Sequence, residues 1–225
     1  MQFAKAQIWG GAARLCLMTD HAFGSNCSLS PSAIASLNTF RDCLVTSPPR
    51  KISHNWRRPW FVFTDASFQP ENVDMPCGLG GVLVDPDGNQ SDAFSIVLDF
   101  KMHLEPLGYP RKKTVIFEAE LLALLISMRL WGDRVSHQPC LFFVDNNSAR
   151  DISISGHART EPGSSLVAQL LKLEDSLGVL AWYARVASAS NIADAPSRCS
   201  RDGIAVPYMP HDVVLNAVNE VVSKL

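Results

Sequence analysis

WFVFTDASF, residues 60–68, runs through Trp60, Phe61, Val62 and Phe63 before it meets a carboxylate at Asp65. Four bulky apolar residues in succession read as a strand buried on both faces. An unpaired carboxylate in such surroundings is strongly disfavoured. Asp65 must therefore be hydrated, paired or bound to a metal, and the choice depends on which other carboxylates meet it.

The segments that follow predict a layered α/β fold. GLGGVLVDPDGN (78–89) is a second strand ending in a Pro-Asp-Gly turn, and SDAFSIVLDF (91–100) pairs back as a third. TVIFEAELLALLISMRLWG (114–132) is a long helix with Phe117, Leu121, Leu124, Leu125 and Met128 on one stripe, and Gly132 is read as its end. CLFFVDNN (140–147) is another apolar strand, ending at Asp145, with a short helix expected over 147–154. A Gly/Ser/Thr/Pro loop over 155–164 leads to a helix at 165–177, a last strand at 179–186 and a final short helix in SNIADAPSR (190–198). Three antiparallel strands followed by two reached through helical crossovers imply a five-stranded mixed sheet flanked by helices.

Three regions are expected. Residues 59–200 hold the sheet. Residues 1–58 hold a helix over SPSAIASLNTFRDCL (30–44), stopped by SPPR, and then a basic tether, RKISHNWRR (50–58). Residues 201–225 form a tail whose Val214, Val218, Val221 and Leu225 share one helical face and must pack on this chain or on a partner.

Composition narrows the class. Of 225 residues 47% are hydrophobic and 19% charged, with a net charge of −2, which describes a globular chain and no polycation. Any affinity for nucleic acid must then come from local patches. The six cysteines are scattered without a CxxC pair, so neither zinc nor a disulfide framework is expected, and reduced thiols point to cytoplasm or nucleus. No apolar run is long enough to span a membrane.

Four carboxylates sit where this architecture can bring them together. Asp65 and Asp145 end two strands that, as parallel central neighbours, emerge at one sheet edge. Asp194 opens the last short helix. The fourth comes from the start of the long helix, where Glu118 and Glu120 compete, about 200° apart on the helical wheel. Glu120 is slightly nearer the apolar stripe, and the margin is small. Taken singly, each of these acids reads more readily as a turn former, a helix cap or a dipole partner than as a metal ligand. Four converging carboxylates need compensating charge, and an all-oxygen ligand set suits a pair of Mg²⁺ ions, or Mn²⁺.

Five motifs in order, TDAS (64–67), GLGGVLVD (78–85), AELLAL (119–124), FFVDNNSA (142–149) and NIADAPSR (191–198), resemble a ribonuclease H domain, in particular that appended to the reverse transcriptases of retrotransposons and pararetroviruses. The resemblance covers roughly residues 59–200. It implies the ribonuclease H-like fold, a four-carboxylate, two-Mg²⁺ site and cleavage of the RNA strand of an RNA–DNA hybrid. Residue by residue, it assigns the metal ligands to Asp65, Glu120, Asp145 and Asp194. Residues 1–58 look like a thumb and connection remnant, which makes a polymerase domain the implied partner. The loop VASASNIAD (186–194) lacks the histidine that many ribonucleases H carry there.

A hybrid-binding reading adds Ser67, Asn146 and Asn147 as contacts to a 2′-hydroxyl or phosphate, Gly80 as a flank of the groove, and Arg57 and Arg58 as phosphate contacts on the tether. Caps, a strand bulge and a solvated loop are the plain alternatives. The rival reading is a degenerate relative that keeps the fold and only binds or scaffolds. A proofreading exonuclease would want an acid where Ser67 stands, and an integrase would end on glutamate rather than Asp194.

Overall fold

The structure, a computed structural model, describes Ile34, Leu37, Asn38, Arg41 and residues 58–225. The four isolated residues are helical. The remainder of the helix expected over 30–44, and the basic tether up to Arg57, lie outside the described residues.

Strand β1, Trp60–Phe68, holds the centre of a five-stranded sheet of order β3-β2-β1-β4-β5. It pairs antiparallel with β2 (Cys77–Val84), which pairs antiparallel with β3 (Gln90–Val97). On its other side β1 runs parallel to β4 (Pro139–Val144), and β4 runs parallel to β5 (Leu180–Arg185). This is the predicted mixed sheet, three antiparallel strands and then two parallel ones. The crossovers to β4 and β5 are helical, as parallel pairing requires.

Helix α1, Ile116–Val135, supplies most of the core on one sheet face, with Leu121, Leu122, Leu124, Leu125, Met128 and Trp131 buried. It continues three residues past Gly132, where the sequence reading ended it. A Cβ at Gly132 would come within 2.9 Å of Leu177 Cδ1. The glycine thus serves close helix–helix approach, not termination. Helix α2 spans Asn147–Ser155, and α3 spans Glu161–Leu177, beginning four residues before the predicted start at 165. Thr160 caps α3, its hydroxyl accepting from the Gly163 amide at 3.2 Å, and Pro162 lies in the first turn. Pro and acidic residues resemble loop composition, yet they also suit a helix start.

The chain ends in α4, Asp194–Ser197, and α5, His211–Val222. Pro196 lies in the single turn of α4, where its missing N–H costs no helical hydrogen bond, and it bars an earlier helix start. Helix α5 packs on α1 and β3, burying Val214, Val218, Val221 and Val222 in the main core. Each buried valine contributes roughly 1.5–3 kcal/mol, and the Arg129–Glu220 ion pair at 2.8 Å adds a tie at the rim. The amphipathic tail therefore finds its partner within this chain.

Candidate metal centre

Register places the first two carboxylates. Phe63 lies opposite Phe143 in the parallel β1–β4 pair. Two residues further on, Asp65, still within β1 and opposite Gly80, and Asp145, just past the end of β4, stand level with one another. The expectation that Asp65 ends its strand is corrected, since β1 continues to Phe68. Helix α1 brings Glu120 to meet them. One ligand oxygen from each of Asp65, Glu120 and Asp145 lies within 4.8 Å of the others. Asp65 and Glu120 are 4% and 3% exposed, and Asp145 is half-buried.

This cluster is electrostatically uncompensated. Burial pushes the Asp65 carboxyl up to about 7; the Ser197 hydroxyl opposes the rise, and the charges of Asp145 and Asp194 add to it. Burial, then the charges of Asp65 and Asp145, hold the Glu120 carboxyl well above the usual carboxylate range, against a smaller opposing pull from the Ala66 amide. Glu120 Oε2 is buried without a hydrogen-bond partner. An orphaned buried carboxylate oxygen is rare in a folded protein and marks a place for an ion or ligand. The group of three offers only carboxylate oxygens, a donor set suited to a hard divalent cation.

The structure separates the two helix glutamates. Glu118, also buried, accepts from Lys112 Nζ at 2.6 Å and from Thr160 Oγ1 at 2.8 Å, ties that join the start of α1 to its preceding loop and to α3. It takes no part in the cluster. Asp194 also lies outside the group of three. Its side chain is 47% exposed and accepts from Arg198 Nε at 3.0 Å, one turn along the chain. Three of the four expected carboxylates are thus drawn together, with the fourth at the rim, near enough for its charge to bear on Asp65.

The contacts around Asp65 include residues that the sequence reading did not single out. Ser197 Oγ donates to Asp65 Oδ2 at 2.5 Å. Asn191 Nδ2 donates to the Thr64 carbonyl at 3.0 Å and approaches Asp65 Oδ1 at 3.4 Å. Both belong to NIADAPSR, three residues either side of Asp194, and no local pattern in the sequence ties either to Asp65.

Ser67 and Gly80 are placed differently from the hybrid-contact expectation. Ser67 is 5% exposed, and its hydroxyl donates to the Ser197 carbonyl at 2.7 Å. Gly80 lies beneath α4, where a Cβ would be 2.3 Å from the Ser197 nitrogen. Both are covered because α4 sits directly on β1 and β2. Asn146 caps α2, accepting from the Ala149 amide at 3.1 Å, and Asn147 beside it is exposed. Arg58 is exposed and pairs with Asp87 at 3.2 Å; Arg57 lies outside the described residues.

No protein-family model matches the chain, and no curated protein does. Among solved structures it is similar to RNase H1 from the halophilic archaeon Halobacterium salinarum NRC-1, at 18% identity and a TM-score of 0.47, covering 64% of this chain and 98% of that one. It is similar to LC11-RNase H1 in complex with RNA/DNA hybrid, at 16% identity and a TM-score of 0.45, covering 64% and 96%. A foamy viral protease-reverse transcriptase in complex with RNA/DNA hybrid is similar at 13% identity and a TM-score of 0.46, covering 76% of this chain and 26% of that one.

Proposed function

We propose that this chain is a metal-dependent nuclease that hydrolyses the RNA strand of RNA–DNA hybrids, as the ribonuclease H part of a retroelement reverse transcriptase. The observation that carries the reading is the meeting of Asp65, Glu120 and Asp145 with ligand oxygens inside 4.8 Å. The choice of substrate rests on the five ordered motifs of residues 59–200.

Asp65, Glu120 and Asp145 would hold two Mg²⁺ ions, or Mn²⁺, with Asp194 as the fourth ligand. Bound there, such a pair supplies an activated water and charge stabilisation for a phosphodiester's leaving oxygen. Strand register holds the Asp65 backbone in place, and Asp145 follows directly on β4, so both acids start from rigid elements. Asp194 must turn away from Arg198 to join them, and an exposed pair of this kind contributes about 1 kcal/mol or less. The products are a 3′-hydroxyl and a 5′-phosphate. Asn147, exposed one residue beyond the Asn146 cap, and Arg58 at the start of β1 are the remaining surface candidates for contact with the hybrid. A polymerase domain is the natural partner, in cytoplasm or nucleus.

The test is cleavage of a labelled RNA–DNA hybrid in Mg²⁺ or Mn²⁺, with Asp65→Asn and Asp145→Asn as controls. RNA-strand cleavage lost in both variants is the expected result. The Asp194–Arg198 pair favours a second reading, a degenerate relative that binds without cutting. Stoichiometric Mn²⁺ binding without turnover, even with a polymerase domain supplied, would establish that alternative.

A further inference from the structure

Helix α4 is too short to be held by its own hydrogen bonds, and the strands beneath it anchor it instead. Ser67 on β1 donates to the Ser197 carbonyl at 2.7 Å. Ser95 on β3 donates to the Pro196 carbonyl at 2.6 Å. Gly78 and Gly80 on β2 let the backbones touch, since a Cβ at Gly78 would stand 2.0 Å from the Ser197 carbonyl oxygen. Ser197 is itself fully buried. Its hydroxyl has one proton and two acceptors in reach: Asp65 Oδ2 at 2.5 Å and the Asp194 carbonyl, one turn back, at 2.9 Å. The ionised carboxylate is the stronger acceptor and the shorter contact, so the proton goes to Asp65. The backbone carbonyl is the local alternative open to a serine in a helical turn.

We propose that Ser197 is a positioning residue for the metal centre: seated by β1, β2 and β3, it fixes the rotation of the Asp65 carboxylate and so orients the oxygens that ligate the ions. This rests on the reading of Asp65 as a metal ligand. A carboxylate held by one oxygen cannot turn freely about its Cβ–Cγ bond, and outer partners of metal ligands typically matter 10–100-fold in affinity. The same contact couples Asp65 to α4, so the placement of Asp194 and the orientation of Asp65 are set by one element.

Calorimetric titration of the full chain with Mn²⁺ tests this, using Ser197→Ala and Ser95→Ala. Ser95 anchors the same turn but does not touch Asp65. The expected result is an affinity about tenfold weaker in Ser197→Ala and near wild type in Ser95→Ala, with both variants folded by thermal melting in chelator. Ser197→Thr, which keeps the hydroxyl, should recover affinity relative to Ser197→Ala. Equal affinities in wild type and a folded Ser197→Ala would overturn the proposal while leaving the metal site standing. Equal losses in Ser197→Ala and Ser95→Ala would reduce Ser197 to an anchor of α4. Absence of Mn²⁺ binding by wild type would remove both the metal reading and this one. If Ser197→Ala does not fold, Ser197→Thr and Ser95→Ala still decide it: an affinity in Ser197→Thr below that of Ser95→Ala would count against a hydroxyl contact.

Discussion

Glu118 and Glu120 stand two positions apart on α1, both buried, and serve different ends. Glu118 is neutralised by Lys112 at 2.6 Å, while Glu120 joins Asp65 and Asp145 with Oε2 unpaired. Their isosteric variants should therefore behave oppositely. Glu118→Gln weakens a buried charge-assisted contact and should lower stability by about 1–3 kcal/mol, leaving Mn²⁺ affinity unchanged. Glu120→Gln removes the burial penalty of an ionisable group and should raise stability in chelator at pH 8 while abolishing Mn²⁺ binding. Thermal melts and metal titration of the two variants check the pair.

Stability in chelator should depend on pH with a definite sign. The Asp65 carboxyl is raised from 3.8 to about 7, chiefly by burial. The folded state then binds a proton more tightly than the unfolded state, so stability falls as pH rises. The loss begins near pH 4 and is complete above about pH 7, and Glu120, also raised by burial, acts in the same direction. Melting temperature in chelator should be lower at pH 8 than at pH 5, Asp65→Asn should flatten the profile, and Mn²⁺ should restore stability at pH 8. A profile that rises from pH 5 to pH 8 would contradict the uncompensated cluster.

Asp194 should act at the rim. Being half-exposed and paired with Arg198, it should influence binding of the first ion only weakly. Asp194→Asn should leave Mn²⁺ affinity within about threefold of wild type, yet cut hybrid cleavage by about tenfold or more if it completes the two-ion site. Parallel titration and cleavage assays separate these effects.

Two glycine-to-alanine changes should differ in size for a steric reason. At Gly78 the added methyl meets backbone, the Ser197 carbonyl oxygen at 2.0 Å. Backbone on both sides cannot yield without moving α4, so a loss of about 2 kcal/mol or more is expected, with weakened Mn²⁺ binding. At Gly132 the methyl meets the end of a side chain, Leu177 Cδ1 at 2.9 Å. Alanine there gains about 1 kcal/mol of helix propensity, so the net change should be small. Denaturant midpoints of the two variants give the comparison.

Much of the architecture was legible because its signals are local. Trp60–Phe63 and Leu141–Val144 are apolar runs of strand length, and the stripe through Leu121, Leu124 and Met128 has the period of a helix. Topology alone suggested that Asp65 and Asp145 stand near one another, and ligand oxygens of the two lie within 4.8 Å. The errors came where a residue's meaning depends on a distant neighbour. Gly132 reads as a stop until Leu177 is set against it, and Ser67 reads as a hybrid contact or a cap until the Ser197 carbonyl is laid over it.

The sequence by itself determined the order of strands and helices and the mixed sheet, because side-chain periodicity and turn chemistry act over a few residues. It read Asp65 as a strand end, whereas β1 continues through it to Phe68. Only the tertiary structure decided between Glu118 and Glu120, left Asp194 at the rim, and set Ser197 against Asp65 across 132 positions of chain. On a helical wheel the two glutamates lie on nearly opposite sides, yet their angles from the apolar stripe differ only slightly. In the folded protein one meets a lysine and the other meets two aspartates, because the charge each encounters is fixed by how distant segments pack.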